Sequence, residues 1–257
     1  MRFTGFMLDM DGTIYKGWDP IPGAKEFIGV LRKRSIPFVF LTNNSSHSRS
    51  YYYDKLTKMG FDVTMENVLT SNIATIRYVL SEHPGSRVYV VGSPDVVEEV
   101  RSAGINVVED EPDIVYLTFD RTITYDKINR AFKALKNGAI LVATHPDDVC
   151  PTETDYDIDI GPFIRMFEQM CQTRAIIIGK PNRLMLEMAA LEMGVDAQGA
   201  VMVGDRLYTD IKMGQDAGIT SILVLSGETS KQDLEGLDVE PTIVLDSVAD
   251  IPALLDQ

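Results

Sequence analysis

Short apolar runs recur along the chain, each ending in a polar loop and most followed by residues with helical spacing. The runs around Phe6–Leu8, Pro37–Leu41, Val68–Thr70, Val88–Val91, Ile105–Val108, Ile114–Thr118, Ile140–Ala143, Ala175–Ile178, Ala200–Val203, Ser221–Leu225 and Thr242–Leu245 predict strands. Between them, Ala24–Arg34 spaces Phe27, Val30 and Leu31 along one side and ends in a basic turn that suits the helix dipole. A helix from about Ser48 to Met59 closes at Gly60, and another carries Ile73, Ile76, Val79 and Leu80. Helices also follow Pro94, span about Ile128–Leu135 and begin near Pro162. Asn182 caps one whose Leu184, Met185, Met188 and Leu191 read as a core stripe. The last two end at Gly218 and run from about Val248 to Leu255.

Strands alternating with helices at this spacing predict an α/β fold, a doubly wound, mostly parallel Rossmann-like sheet with helices on both faces. The alternation restarts at Arg87 as a second α/β unit. In such sheets ligands sit beyond the carboxyl ends of the strands, at the switch in strand order. Four loops at those ends carry unusual polar residues: Asp9 and Asp11, Thr42 and Asn43, Lys180, and Asp205 with Asp210.

Asp9 and Asp11 are two apart, so a regular strand would point both to one face, and such a pair needs a cation, a proton or an electrophile to offset its repulsion. Taken alone, Asp11-Gly12 also reads as an ordinary turn. If Asp9, Asp11 and Asp205 meet at one rim, the charge calls for a hard divalent cation, and oxygen-only ligands suit magnesium. Lys180, Thr42, Asn43 and the backbone amides near Gly12 can hold phosphate oxygens. A carboxylate beside bound phosphate can attack phosphorus, the role expected of Asp9, while Asp11 can serve as acid and then base. Standing alone, Thr42 could be a helix cap, Lys180 a solvated strand end and Asp210 a surface i,i+4 partner.

Composition narrows the classes. The 257 residues are 45% hydrophobic and 24% charged, with a net charge of −14. That balance fits a soluble globular protein and disfavours nucleic acid or an anionic membrane as partner. No run is long enough to span a membrane, and the N-terminus lacks a signal-peptide layout, so a cytoplasmic location is expected. Cys150 and Cys171, without close spacing, predict neither a disulfide framework nor a zinc site. The run Asp155-Tyr156-Asp157-Ile158-Asp159 reads as a solvated loop.

Asp9-Met10-Asp11-Gly12-Thr13, Leu41-Thr42-Asn43-Asn44, Gly179-Lys180-Pro181 and Gly204-Asp205-Arg206-Leu207-Tyr208-Thr209-Asp210 resemble the four ordered motifs of the haloacid dehalogenase superfamily. Their order and spacing are similar to the subfamily of N-acetylglucosamine-operon (NagD-like) and p-nitrophenyl phosphatases. The resemblance implies a catalytic core over 1–76 and 175–257 and an inserted α/β cap over 77–174. It implies a Mg2+-dependent phosphatase of small phosphomonoesters, with Asp9 as nucleophile and metal ligand, and Asp11 as acid/base with its backbone carbonyl on the ion. Asp205 would complete the metal site, Thr42, Asn43 and Lys180 would hold phosphate, and Asp210 would stand behind them, holding Lys180 or a metal water. The cap should close over the site and choose the substrate. Relatives carry small and aromatic residues where this chain has Asp155–Gly161, so their substrates do not transfer directly. Thr144, His145 and Asp147 are expected at the pocket mouth, although an isolated histidine such as His145 is more often a surface loop residue. Members of that subfamily often associate through their caps, so the resemblance implies a possible homodimer.

Two other functions share parts of this pattern. A phospho-aspartate receiver module is about half this length and has no inserted domain. A phosphomutase of this superfamily carries a helical cap before the second motif, where only about 28 residues separate Thr13 from Thr42.

Overall fold

The computed structural model describes residues 3–152, 155–234 and 238–256. The chain divides into two compact units. Met1–Thr42, Ser50–Leu69 and Lys180–Gln257 form the first, and Asn43–Arg49 with Thr70–Gly179 the second.

The first unit is built on a six-stranded sheet in the order Ile243–Leu245, Thr220–Val224, Ala200–Gly204, Gly5–Asp9, Phe38–Thr42, Val68–Thr70. Pairing is parallel from Ile243–Leu245 through to Phe38–Thr42. Every residue of Gly5–Asp9, Phe38–Thr42 and Ala200–Gly204 is buried, which is why these strands read as unbroken apolar runs rather than as alternating ones. Numbered in sheet sequence the order is 6-5-4-1-2-3, so strand order reverses between Gly5–Asp9 and Ala200–Gly204. That reversal is where an open α/β sheet leaves a crevice at its carboxyl edge.

Aromatic packing fixes this unit. Phe6 meets Phe27 edge to face at 5.6 Å between ring centroids, and Phe40 meets Phe61 at 6.3 Å. The helix Ala24–Lys33 buries Ala24, Phe27, Ile28 and Leu31, so Ile28 rather than Val30 completes its inner stripe. The helix Arg183–Met193 differs more from its expected face. It buries Met185, Leu186, Ala189 and Ala190, while Leu191 is exposed. Two adjacent alanines let the helix approach the sheet closely, and that small-residue face outcompetes the larger stripe read from the sequence.

The second unit has a five-stranded parallel sheet in the order Ala175–Ile177, Ile140–Ala143, Ile114–Leu117, Arg87–Val91, Asn106–Val107. Its core gathers Leu117, Leu141, Ile164 and Phe167. The helix Tyr125–Lys136 starts where the Thr124 side chain accepts the Lys127 N–H at 3.3 Å.

Two short antiparallel hairpins were not legible in the sequence: Tyr15–Lys16 with Asp19–Pro20 in the first unit, and Val149–Pro151 with Tyr156–Ile158 in the second. The latter corrects the reading of the acidic run as a solvated loop. Tyr156–Ile158 is a strand and Asp159 is buried. Among the described residues no helix is long and apolar enough to cross a membrane.

Candidate active site

Gly5–Asp9 ends at Asp9, and the chain then turns sharply. The Met10 carbonyl accepts the N–H groups of Thr13, Ile14 and Tyr15 at 3.3, 2.8 and 3.2 Å, and the Gly12 N–H donates to the Tyr15 carbonyl at 2.7 Å. Asp9 therefore sits buried at the strand end, whereas Asp11 projects from the turn and is exposed. The two carboxylates do not share one strand face, because the turn intervenes before the period of two can repeat.

Lys180 lies almost fully buried, with its ammonium ion-paired to Asp9 and, at 2.8 Å, to Asp210. It also approaches the Leu41 carbonyl at 3.5 Å. Leu41 is the register partner of Asp9 in the neighbouring strand, so Thr42 stands one residue beyond it at the same edge. Asp205 follows the strand Ala200–Gly204. One of its oxygens accepts the Glu228 N–H at 2.7 Å and the other is 3.4 Å from the Thr13 hydroxyl. Asp210 reaches the cluster from a π-helical turn, Leu207–Ile211, and accepts the Arg206 N–H at 3.2 Å. An extra residue per turn of this kind is a frequent device for re-aiming a functional side chain.

Asp9, Asp205 and Asp210, all buried, each offer a carboxylate oxygen within 4.8 Å of the others, close enough to share one cation. Asp210, expected to hold Lys180, does so at 2.8 Å and also offers an oxygen to the acid group, of which the Asp11 carboxylate is not part. Glycines make the closeness feasible. A Cβ at Gly12 or Gly227 would overlap the Asp205 carboxylate, and one at Gly204 would overlap Asp210. Gly12 has in addition a φ of +86°, which a side chain resists.

The electrostatics follow from burial. Desolvation raises the Asp9 carboxyl well above its ordinary value, against the pull of Lys180, with Asp210 and Asp205 adding repulsion. Asp205 is pushed up to about 6, first by burial and then by Asp210, with Arg206 opposing. Burial pulls the Lys180 ammonium down, but Asp210 and Asp9 more than offset it and the net shift is upward. Asp11 is also raised, by desolvation from the walls around it and against the pull of Lys55.

Asn43, Thr144, His145 and Asp147 all belong to the second unit. There the Asn43 side-chain amide donates to both Asp147 oxygens at 3.1 and 3.2 Å, and the Ser45 and Thr144 hydroxyls are hydrogen-bonded at 2.8 Å. His145 is fully buried, so it is no surface residue. Its two ring nitrogens lie 3.6 Å from Asp147 and 3.6 Å from Asp159.

Sequence reasoning placed Thr13 and Arg206 within motifs without giving either a role, and it missed the loop Ser226-Gly227-Glu228 around Asp205. The same rule that selected the other loops could have found this one, because it follows the parallel strand Thr220–Val224. The Ser226 hydroxyl donates to the Gly12 carbonyl at 2.7 Å, tying the two loops together.

A family model of haloacid dehalogenase-like hydrolases matches residues 6–106, and a second, HAD-hydrolase-like model matches 177–251. The chain is 34% identical over 256 residues to the sugar-phosphatase AraL of Bacillus subtilis, covering 98% of this chain and 93% of that one. It is 32% identical to the 5'-nucleotidase YutF of the same organism, covering 96% and 97%. The crystal structure of a 4-nitrophenylphosphatase from Thermotoga maritima matches with a TM-score of 0.95 at 37% identity, covering 99% and 98%. Fold, acid cluster and relatives together define a phosphoric monoester hydrolase. The chain belongs to the haloacid dehalogenase-like hydrolases, in the branch of NagD-like and p-nitrophenyl phosphatases.

Proposed function

We propose that this phosphatase is magnesium-dependent and hydrolyses small phosphomonoesters, among them sugar phosphates, nucleotides or aryl phosphates, through a phosphoaspartyl intermediate on Asp9. One observation carries the reading: three buried carboxylates within 4.8 Å of one another, with a single buried lysine against two of them, at the switch point of the sheet. Three acids against the Lys180 ammonium, with the Arg206 guanidinium nearby but ion-paired to Glu228 at 3.0 Å, leave an excess of negative charge that a hard divalent cation offsets, and the donor set is all oxygen.

Asp9 and Asp205 would hold the ion, joined by the backbone carbonyl of Asp11, with Asp210 beside them. Bound there, it would screen the carboxylates from the incoming phosphate.

Asp9 is the nucleophile. One of its oxygens forms a bond to phosphorus as the ester oxygen–phosphorus bond breaks, and the departing oxygen takes a proton from Asp11. In the second half a water gives its proton to Asp11 and bonds to phosphorus, the Asp9–phosphorus bond breaks, and inorganic phosphate leaves. The solvent-facing place of Asp11 supports that role, since it exchanges protons twice per turnover. Thr42, Asn43 and Lys180 donate to the phosphate oxygens, and Asp210 keeps Lys180 in place.

The test is release of inorganic phosphate from a panel of sugar phosphates, nucleotides and p-nitrophenyl phosphate. Asp9→Asn should lower turnover by about 10^3-fold or more, because the amide is a poor nucleophile, and chelation should abolish activity. Turnover undiminished in the variant, or indifferent to chelator, rules the mechanism out.

A further inference from the structure

Lys55 has an environment that the reaction as described leaves unused. Its ammonium lies 4.1 Å from the ring centroid of Tyr15 and 5.4 Å from that of Trp18, half-buried against both faces. Among the described residues it has no hydrogen-bond acceptor and no ion pair, and Asp11 is the one charged group that acts on it. Tyr15 is buried and locked to the Asp11 turn by its carbonyl, while Trp18 stands at the tip of the hairpin Tyr15–Lys16 with Asp19–Pro20, 53% exposed. An ammonium held on two ring faces, with its three N–H groups free of carboxylate, is set to receive an anion from solvent.

We propose that Lys55, framed by Tyr15 and Trp18, binds a second anionic group on the leaving-group side of the substrate, so that the enzyme prefers phosphomonoesters bearing a carboxylate or a second phosphate. The proposal rests on the reading of Asp11 as the acid that meets the leaving oxygen, since that puts the leaving group on the Lys55 side.

Trp18 is the single tryptophan of the sequence, so its fluorescence reports the site directly. Titrations with methylphosphonate, phosphonoacetate and methylenebisphosphonate compare ligands with none, a carboxylate and a second phosphonate. The wild type should bind at least one of the two ligands that carry a second anionic group about tenfold more tightly than methylphosphonate, and which one it favours identifies the second anion. K55Q should lose that preference and K55R should keep it. Turnover provides a parallel measure: the ratio of kcat/KM for 2-phosphoglycolate over ethyl phosphate should fall about tenfold in K55Q. No preference in the wild type, or an unchanged preference in K55Q, overturns the proposal. A wild type that shows the Lys55-dependent preference yet releases no phosphate supports this binding site and refutes the catalytic reading.

Discussion

Lys180 shows how much one residue can carry. Fully enclosed, it is ion-paired with two carboxylates at once, and desolvation alone would favour its neutral form. Removing one partner of a buried pair costs more than the pair is worth, because the remaining charges stay buried and unpaired. Lys180→Ala is therefore expected to destabilise the protein by about 3–5 kcal/mol in chelator, with the loss reduced when magnesium is added. Urea unfolding with and without the ion checks this, and a loss below about 1 kcal/mol would mean the carboxylates are protonated and need no partner. The glycines act by omission. Gly12, Gly204 and Gly227 each leave a gap that a methyl group would fill with a clash against Asp205 or Asp210, so the acids approach only because a strand end and two loops lack a side chain there. Gly12-Thr13 was readable in the sequence as part of a motif. Gly227 was not, since its meaning depends on which strand lies next to which.

The long buried strands were legible, because an apolar run of four or five residues between polar loops has few other readings. The hairpin strands Tyr15–Lys16 and Asp19–Pro20 were not, since two residues are too few to show any period. The π-helical turn at Leu207–Ile211 was hidden for a related reason: one extra residue shifts a helical pattern without erasing it. Asp155–Asp159 is more instructive. Read as a block of charge it suggested solvent, yet acid and apolar residues alternate, which is the period of a strand. The structure follows that alternation, with Ile158 60% exposed and Asp159 buried 3.6 Å from His145. Two neighbouring substitutions should then differ sharply. Asp159→Ala strips a carboxylate from a buried imidazole and should cost about 1–3 kcal/mol, whereas Ile158→Lys on the open face should stay within about 0.5 kcal/mol. Equal losses in urea melts would show that the hairpin does not hold this register.

Across the whole molecule, a net charge of −14 surrounds a site proposed to bind an anion through a cation, and protons compete with that cation for the same oxygens. Both α/β units and the convergence of Asp9, Lys180, Asp205 and Asp210 were foreseeable from strand-end loops. The protonation state of the acids was not, because it depends on burial. Asp205 is raised from 3.8 to about 6 in the folded state, and Asp9 is raised as well. A raised acid binds its proton more tightly folded than unfolded, so without the cation its contribution to stability falls as pH rises from about 3.8 through about 6. Over the same interval the deprotonated oxygens become available to magnesium, whose stabilisation grows with the ratio of free ion to its dissociation constant. The increase in Tm caused by millimolar magnesium should therefore be small at pH 5 and clearly larger at pH 7.5, and Asp205→Asn should reduce it at both. Thermal unfolding at several pH values with the ion and with chelator measures the difference directly. A magnesium-induced shift that is independent of pH, or that survives in Asp205→Asn, would place the ion elsewhere on this acidic surface rather than among Asp9, Asp205 and Asp210.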